Sequence, residues 1–369
     1  MVLAFGAASS FSSFCLVARG IWTILVAMFG VATGQYVDDY PVLELATLAP
    51  HLQSVLDRVF RLLGWDTKQE AEFRPTFNPL GVEFRLGSAA LGFVQVANAA
   101  RRVAEIAARG KEVLRARALS RAEARSLRGR IHHASAQTFG RCGGAAFRAL
   151  GLVADGGNAG ATALGPALQA LEWLREYLSR ARPRTVRARL TESSTLFVDG
   201  CCEPGGEAPF VGVGAVLFSP RRAGPVYLGI RVGRALLRHW SSETKDQLVG
   251  QAELLPVVLA KATWPDLVED QGLVVFVDNN AARYGLVSGF SPVRESAELI
   301  AASYALDSEL GVFPWYSRVP SAANLADGPS RLDFSAVKAY AGAERFQPRA
   351  PRCGSPDFRR VLETGLQWE

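Results

Sequence analysis

Residues 195–200 read Thr-Leu-Phe-Val-Asp-Gly, and residues 273–280 read Leu-Val-Val-Phe-Val-Asp-Asn-Asn. Each is a short apolar run, rich in β-branched and aromatic residues, that stops at an aspartate, which is typical of strands buried in a sheet. We therefore interpret Asp199 and Asp278 as residues that end two buried strands. In open α/β sheets, functional sites form at the carboxyl ends of such strands.

Further strands and helices surround these two runs. Glycine turns separate apolar segments that predict strands, and longer segments with apolar residues at helical spacing predict helices. The order of three strands, helix, strand, helices, strand and helix predicts a mixed sheet with helices packed on it. The predicted strands are 195–198, 210–218, 225–232, 273–277 and 312–318, and the predicted helices are 247–262, 280–287, 292–310 and 322–331.

Two more acidic residues lie where this fold places its core. Glu253 lies in the apolar helix Gln251–Ala260, and Asp327 lies in the segment Asn324–Arg331. Acids that converge at one sheet edge repel each other unless cations neutralise them, and oxygen-only ligands suit Mg²⁺ or Mn²⁺. Two such ions can clamp the attacking and leaving oxygens of a phosphodiester. Taken singly, each acid could equally be a turn, cap or surface residue.

Composition narrows the class of protein. The 369 residues are 49% hydrophobic and 21% charged, which indicates packed globular domains and excludes a disordered chain or a coiled-coil rod. Five cysteines give no disulfide framework, so we expect an intracellular protein, cytoplasmic or nuclear. Four histidines argue against a histidine-built metal site but leave a carboxylate site open.

The positive charge is concentrated in one region. The whole chain carries a formal net charge of +6, whereas residues 101–150 hold twelve Lys or Arg and three Glu, a net charge of +9. A basic helical segment of this kind is either a solvated face or a surface for a phosphate backbone.

The order of the acidic motifs is similar to one family. The segments FVDG, QAELLPVV, VFVDNNAA and VPSAANLADGPSR resemble the RNase H domain attached to retroelement reverse transcriptases. The resemblance implies hydrolysis of the RNA strand of RNA–DNA hybrids with two Mg²⁺ or Mn²⁺ ions, and it implies that Asn324 and Arg331 contact nucleic acid. Cellular members carry a histidine in the loop before the last aspartate, and Val319–Leu325 has none. The catalytic and metal-binding residues that it implies are Asp199, Glu253, Asp278 and Asp327.

The front of the chain resembles reverse transcriptase itself. Tyr36-Val37-Asp38-Asp39 resembles the Y-x-D-D hairpin of the polymerase palm, and Leu80–Phe84 resembles the L-G-x-x-F primer-grip strand. Residues 3–10 resemble the L-P-F-G-x-x-x-S element, with Ala4 in place of proline, and residues 63–68 resemble the helix–Lys element that follows. The basic helices resemble the thumb of DIRS-like, tyrosine-recombinase retrotransposons, which implies that four arginines track a template–primer duplex, namely Arg125, Arg128, Arg130 and Arg141.

Polymerase relatives carry another catalytic aspartate upstream of the L-P-F-G element, and this chain has no counterpart. We therefore expect Tyr36, Asp38 and Asp39 to be a polymerase remnant of an N-terminally truncated protein, with any partner chain that completes the palm unknown. The fold class expected is α/β (α+β), a partial palm and helical thumb followed by an RNase H-like mixed sheet with flanking helices. The expected domains are 1–88 (palm), 89–187 (thumb or connection), 188–335 (RNase H-like) and 336–369 (flexible tail).

Three functional hypotheses follow. The first is a nuclease that acts on RNA–DNA hybrids, and the second is a non-catalytic, nucleic-acid-binding remnant of a retroelement. The third is a membrane protein that uses the apolar stretch 11–34. Because Arg19 interrupts that stretch and no basic segment precedes it, we expect no membrane association and a buried helix that runs into a strand.

Overall fold

The computed structural model describes residues 8–65, 72–135, 143–156, 164–189, 192–204, 209–241, 248–353 and 356–367. These residues form two compact units, Met1–Gly87 and Ser88–Glu369. Several residues of the predicted motifs lie outside the described ranges: residues 3–7, Lys68 and residues 139–141.

The first unit pairs two helices with two small hairpins. Helix α1 spans Ala8–Phe29 and helix α2 spans Ala49–Leu62, and their facing apolar side chains form one core. The hairpins consist of short antiparallel strands. Their bounds are β1 Ala32–Thr33, β2 Val42–Leu43, β3 Thr76–Phe77 and β4 Val82–Arg85.

Helix α1 is less buried than the sequence predicts. Ala18, Ile21 and Leu25 are buried, but the opposite face is exposed, with Leu16 75% and Met28 74% exposed. Ser9–Phe29 is, among the described residues, the one stretch of helix long and apolar enough to cross a membrane, and 17% of its apolar window is buried. The prediction of a buried helix is therefore wrong, although the helix does lead into a strand.

The second unit begins with a helical region. Ser120 caps one of its helices, since its hydroxyl accepts a hydrogen bond from the Glu123 backbone N–H while the Glu123 carboxylate accepts one from the Ser120 backbone N–H. Two antiparallel strands flank the helices. The elements are β5 Phe93–Asn98, α3 Ala100–Ala116, α4 Arg121–Ala134, α5 Gly144–Asp155, α6 Leu164–Arg180 and β6 Arg184–Arg187.

A seven-stranded mixed sheet forms the centre of the second unit, which confirms the predicted fold class. Its order is β11-β10-β7-β8-β9-β12, with β13 also on β9. Strand β10 runs parallel to both β7 and β11, whereas β7, β8 and β9 are antiparallel neighbours. The bounds are β7 Ser193–Glu203, β8 Phe210–Phe218, β9 Val226–Val232, β10 Gly272–Val277, β11 Phe313–Arg318, β12 Glu344–Arg345 and β13 Leu366–Gln367.

Helices pack on this sheet and share its core with the helical region. Helix α8 lies across β7 and β8, with twelve of its fifteen residues buried, which is why its sequence is apolar on almost every side. The remaining helices pack around α8 or at the edges of the sheet. The bounds are α7 Arg234–Ser241, α8 Val249–Thr263, α9 Asn280–Ser288, α10 Arg294–Leu310 and α11 Pro356–Gly365.

The structure differs from the expected flexible tail over 336–369. Strand β12 pairs with β9, and β13 pairs with the same strand in the opposite direction. Helix α11 packs against α7, and Phe358 and Leu362 are buried in the main core. The described part of the segment 336–369 therefore contributes both strands and core residues to the second unit.

Candidate active site

Two parallel strands bring the first two aspartates together. Residues 272–276 of β10 pair with residues 193–197 of β7, so the same register continued two residues further places Asp278 beside Asp199. Asp278 directly follows β10, as predicted. Asp199 does not end its strand, because β7 continues to Glu203 and Asp199 pairs with Gly214 of β8. The sequence was misleading there because Asp-Gly is a common turn pair.

Glu253 reaches the two aspartates from helix α8. A Cβ at Gly200 would lie 2.3 Å from the carbonyl carbon and 2.5 Å from the carbonyl oxygen of Ala252, so only glycine lets α8 approach β7 this closely. Pro256 lies inside α8 and has no N–H to donate to the Ala252 carbonyl four residues earlier. The close approach at this carbonyl places the next residue, Glu253, beside Asp199.

The three carboxylates form a tight group. One oxygen from each of Asp199, Glu253 and Asp278 lies within 4.8 Å of the others. Asp199 and Glu253 are each 5% exposed, and Asp278 is half-buried. Burial, followed by the charges of Asp278 and Asp199, raises the pKa of Glu253 to about 9. Burial is also the main reason that the pKa of Asp199 rises to about 6, with the charges of Asp278 and Asp327 adding to it.

This donor set fits a divalent cation. Glu253 Oε2 is buried and has no hydrogen-bond partner among the described residues. The Glu253 carboxylate also lies near the negative charges of Asp278 and Asp199. Such an arrangement is costly unless a proton or a cation compensates it. Oxygen ligands without sulfur or imidazole suit Mg²⁺ or Mn²⁺. In the part of the chain that the structure describes, this is the one group of three or more potential ligand residues at such spacing.

Asp327 lies at the border of this group and not within it. It begins the short helix Asp327–Ser330, its side chain is 49% exposed, and Oδ1 accepts from Arg331 Nε at 3.4 Å. Arg331 also pairs with Glu203. The charge of Asp327 nevertheless reaches Asp199, whose pKa it helps to raise. The short helix packs on the β8 backbone, since a Cβ at Gly214 would lie 2.4 Å from the Ser330 nitrogen.

Asn324 occupies a different place from the one predicted. It is 6% exposed, and its Nδ2 donates to the Val198 carbonyl at 3.0 Å and to Asp199 Oδ1 at 3.3 Å. The amide N–H groups of Asn324 thus have partners within the protein, and its contact with nucleic acid stays a prediction. Ser321, which the sequence reasoning missed, donates to Asp278 Oδ2 at 2.9 Å. A serine in a loop carries no signal for this role until the loop is placed beside β10.

The predicted nucleic-acid-binding arginines differ among themselves. Arg125 is exposed on α4, while Arg130 pairs with Glu105 at 3.3 Å. Arg128 lies over the Phe147 ring at 4.6 Å and 3.7 Å from Asp155, so it packs α4 against α5. Arg141 lies outside the described residues.

The polymerase-like motif forms a tight turn between β1 and β2. Tyr36 and Asp39 exchange backbone hydrogen bonds of 2.9 Å, Val37 has a φ of 54°, and Asp38 and Asp39 are exposed. No third ligand residue joins Asp38 and Asp39 in a group such as the one at Asp199, as far as the described ranges extend.

Solved structures that resemble the chain are RNase H domains and retroviral reverse transcriptases. The N-terminal RNase H domain of a Mycobacterium tuberculosis protein is 16% identical, with a TM-score of 0.29, and the match covers 40% of this chain and 97% of that one. RNase H1 of Halobacterium salinarum is 21% identical, with a TM-score of 0.27, over 38% of this chain and 97% of that one.

A foamy viral protease–reverse transcriptase, solved with double-stranded DNA, is 13% identical with a TM-score of 0.36. That match covers 84% of this chain and 49% of the viral chain, so the chain spans about half of the viral protein. No protein-family model and no curated protein matches the chain.

Proposed function

We propose that this protein is a metal-dependent nuclease that hydrolyses the RNA strand of RNA–DNA hybrids. The observation that carries the proposal is the group of three carboxylates at the junction of β7, β10 and α8, with Glu253 Oε2 buried and unpartnered among the described residues. Asp199, Glu253 and Asp278 would hold the cations, and Asp327 would contribute a charge from the rim. Divalent cations would supply an activated water and would neutralise charge on the phosphodiester.

The residues of the chain have separable roles in this proposal. Asp199, beside Asp278 on the neighbouring strand and close to Glu253, would help to hold the cations. Glu253 is held beside them because α8 lies close against β7 at Gly200. Arg331 is exposed and pairs with Asp327 and Glu203, and in this proposal it would contact the backbone of a bound hybrid. The 2′-hydroxyl distinguishes RNA from DNA at such a site.

The motifs at the front of the chain support an origin in a reverse transcriptase and RNase H segment of a DIRS-like retrotransposon. In that interpretation the Asp38–Asp39 turn belongs to the polymerase palm and the helices α3–α6 to the thumb. We propose no polymerase activity for this chain, because its described residues give Asp38 and Asp39 no third carboxylate.

The decisive experiment uses the full chain and a hybrid whose RNA strand is labelled. We expect cleavage of the RNA strand in Mg²⁺ or Mn²⁺, no cleavage in EDTA, and no cleavage of the DNA strand. Double-stranded DNA and double-stranded RNA of the same sequence are the matched controls. Binding of the hybrid without cleavage under any cation condition would overturn the proposal and favour the non-catalytic remnant.

A further inference from the structure

A single loop contacts both aspartates of the acidic group. Residues 319–326 connect β11 to the short helix Asp327–Ser330, and the loop contains one turn of 3₁₀ helix at Ser321–Ala323. The loop begins at a fixed point, since the Val319 N–H donates to the Val277 carbonyl at the end of β10. From there, Ser321 reaches Asp278 and Asn324 reaches Asp199.

The conformation of the loop fixes the positions of Ser321 and Asn324 relative to each other. The Asn324 N–H donates to the Ser321 carbonyl at 3.0 Å, so the two donor residues close one turn. Asn324 Oδ1 accepts from the Ala326 N–H at 3.2 Å, which fixes the amide so that Nδ2 points to Asp199 and the Val198 carbonyl. The orientation of the amide is therefore set by its own network.

Each donor uses one oxygen of its aspartate. Ser321 bonds Oδ2 of Asp278 and Asn324 bonds Oδ1 of Asp199, so neither carboxylate has both of its oxygens taken by this loop. A hydrogen bond to a carboxylate restricts its rotation and offsets part of the repulsion from neighbouring acids. Residues 319–325 of this loop correspond to the loop in which cellular RNase H domains carry a histidine, and they contain none.

We infer that the loop 319–326 is a positioning element, in which Ser321 and Asn324 hold the carboxylates of Asp278 and Asp199 ready for cation binding. The inference rests on the proposed function, because it assigns these residues to the same site. It makes Asn324 a positioning residue and not a contact to nucleic acid. Hydrogen-bonding partners of metal ligands contribute about 10–100-fold to metal affinity in comparable sites.

The test measures Mn²⁺ affinity of the full chain by calorimetry, in four proteins: wild type, Ser321→Ala, Ser321→Thr and Asn324→Ala. Ser321 is exposed, so its alanine variant should melt in EDTA as the wild type does. We expect Ser321→Ala to bind Mn²⁺ about 10-fold more weakly and Ser321→Thr, which keeps the hydroxyl donor, to bind within about 2-fold of wild type. Asn324→Ala should lose more, because Asn324 also anchors the loop to β7.

Hybrid cleavage gives a second readout. For Ser321→Ala we expect kcat at subsaturating Mn²⁺ to fall while KM for the hybrid stays unchanged, because the loop is assigned to the cations and not to the substrate. If Asn324→Ala unfolds, the Ser321 pair decides alone. Unchanged Mn²⁺ affinity in Ser321→Ala, or an equal loss in Ser321→Thr, would overturn the inference and leave the proposed function standing. A wild type that binds no Mn²⁺ would overturn both.

Discussion

The Asp199 carboxylate is buried in the middle of a central strand beside two other acids, which is a poor position for a structural residue. Asp199→Asn keeps the shape of the side chain and removes the charge that cations would balance. We expect hybrid cleavage in Mg²⁺ to fall by at least about 100-fold, similar to the removal of one preorganised stabilising group. Melting in EDTA should stay the same or rise, because one source of repulsion is gone.

The two measurements for Asp199→Asn must be read together. Cleavage at the wild-type rate would show that Asp199 takes no part in the reaction. Poor cleavage together with a much lower melting temperature would mean that the residue supports the fold, and the catalytic role would then lack support.

The raised pKa of Glu253 should make the stability of the metal-free protein depend on pH. Its pKa is raised from an ordinary 4.5 to about 9 in the folded state, so the folded protein keeps a proton that the unfolded chain has lost. Below pH 4.5 this shift therefore leaves the free energy of unfolding unchanged. As the pH rises from 4.5 toward about 9 the free energy of unfolding falls, and the loss at pH 7 is on the order of 3 kcal/mol. Glu253→Gln removes this effect, so in EDTA its melting temperature should exceed that of wild type by a margin that grows from pH 5 to pH 8. A margin that is constant with pH would contradict the assignment.

The contact between β7 and α8 determines where the site forms. Gly200→Ala would place a Cβ 2.3 Å from the Ala252 carbonyl carbon, and this backbone cannot move without moving Glu253. We expect a loss of stability of about 1–3 kcal/mol and a loss of cleavage in the protein that remains folded.

Gly129 offers the matched control, because it is exposed on α4 and a Cβ added there would meet nothing within 4 Å. Gly129→Ala in a helix interior should stabilise the protein by about 0.5–1 kcal/mol and leave cleavage unchanged. Equal melting temperatures for the two variants would show that the β7–α8 contact tolerates a side chain.

The arginines of helix α4 have two different expected roles. Some bind nucleic acid, and others pack the helix against its neighbours. Arg125→Gln should weaken duplex binding and lower the slope of log K against log[salt] by about 0.9, the value for one phosphate contact, without a change in melting temperature. Arg128→Gln should lower the melting temperature, because Arg128 packs on Phe147. Arg58→Gln, an exposed site on α2, removes the same charge elsewhere and serves as control. An unchanged slope in Arg125→Gln would indicate that the basic segment 101–150 is a solvated face and not a surface for a phosphate backbone.

Across the whole chain, the sequence predicts the elements whose patterns are local. The buried runs of β8 and β10 and the helix that carries Glu253 are all predicted from neighbouring residues. The convergence of Asp199, Glu253 and Asp278 could also be predicted, because parallel strands and a helix that crosses them leave few places for three acids.

The features that were missed depend on contacts between distant residues. The extension of β7 beyond Asp199 depends on its pairing with β8, and the role of Asn324 depends on where its loop meets β7. The exposed face of α1 was expected to be buried because apolar composition alone does not say which side has a partner. The C-terminal segment looked like a tail because β12 and β13 are two residues long and leave almost no periodic signal.

We expect the C-terminal segment to stabilise the second unit through the packing of helix α11. Leu362 is fully buried in the main core, whereas its neighbour Glu363 is exposed on the same helix, α11. Leu362→Ala should therefore lower the free energy of unfolding by about 2–5 kcal/mol, and Glu363→Ala should change it by less than about 0.5 kcal/mol. Chemical denaturation of the full chain, followed by tryptophan fluorescence, measures both. If the two variants unfold at the same denaturant concentration as wild type, α11 does not stabilise the sheet and the expected flexible tail is the correct description.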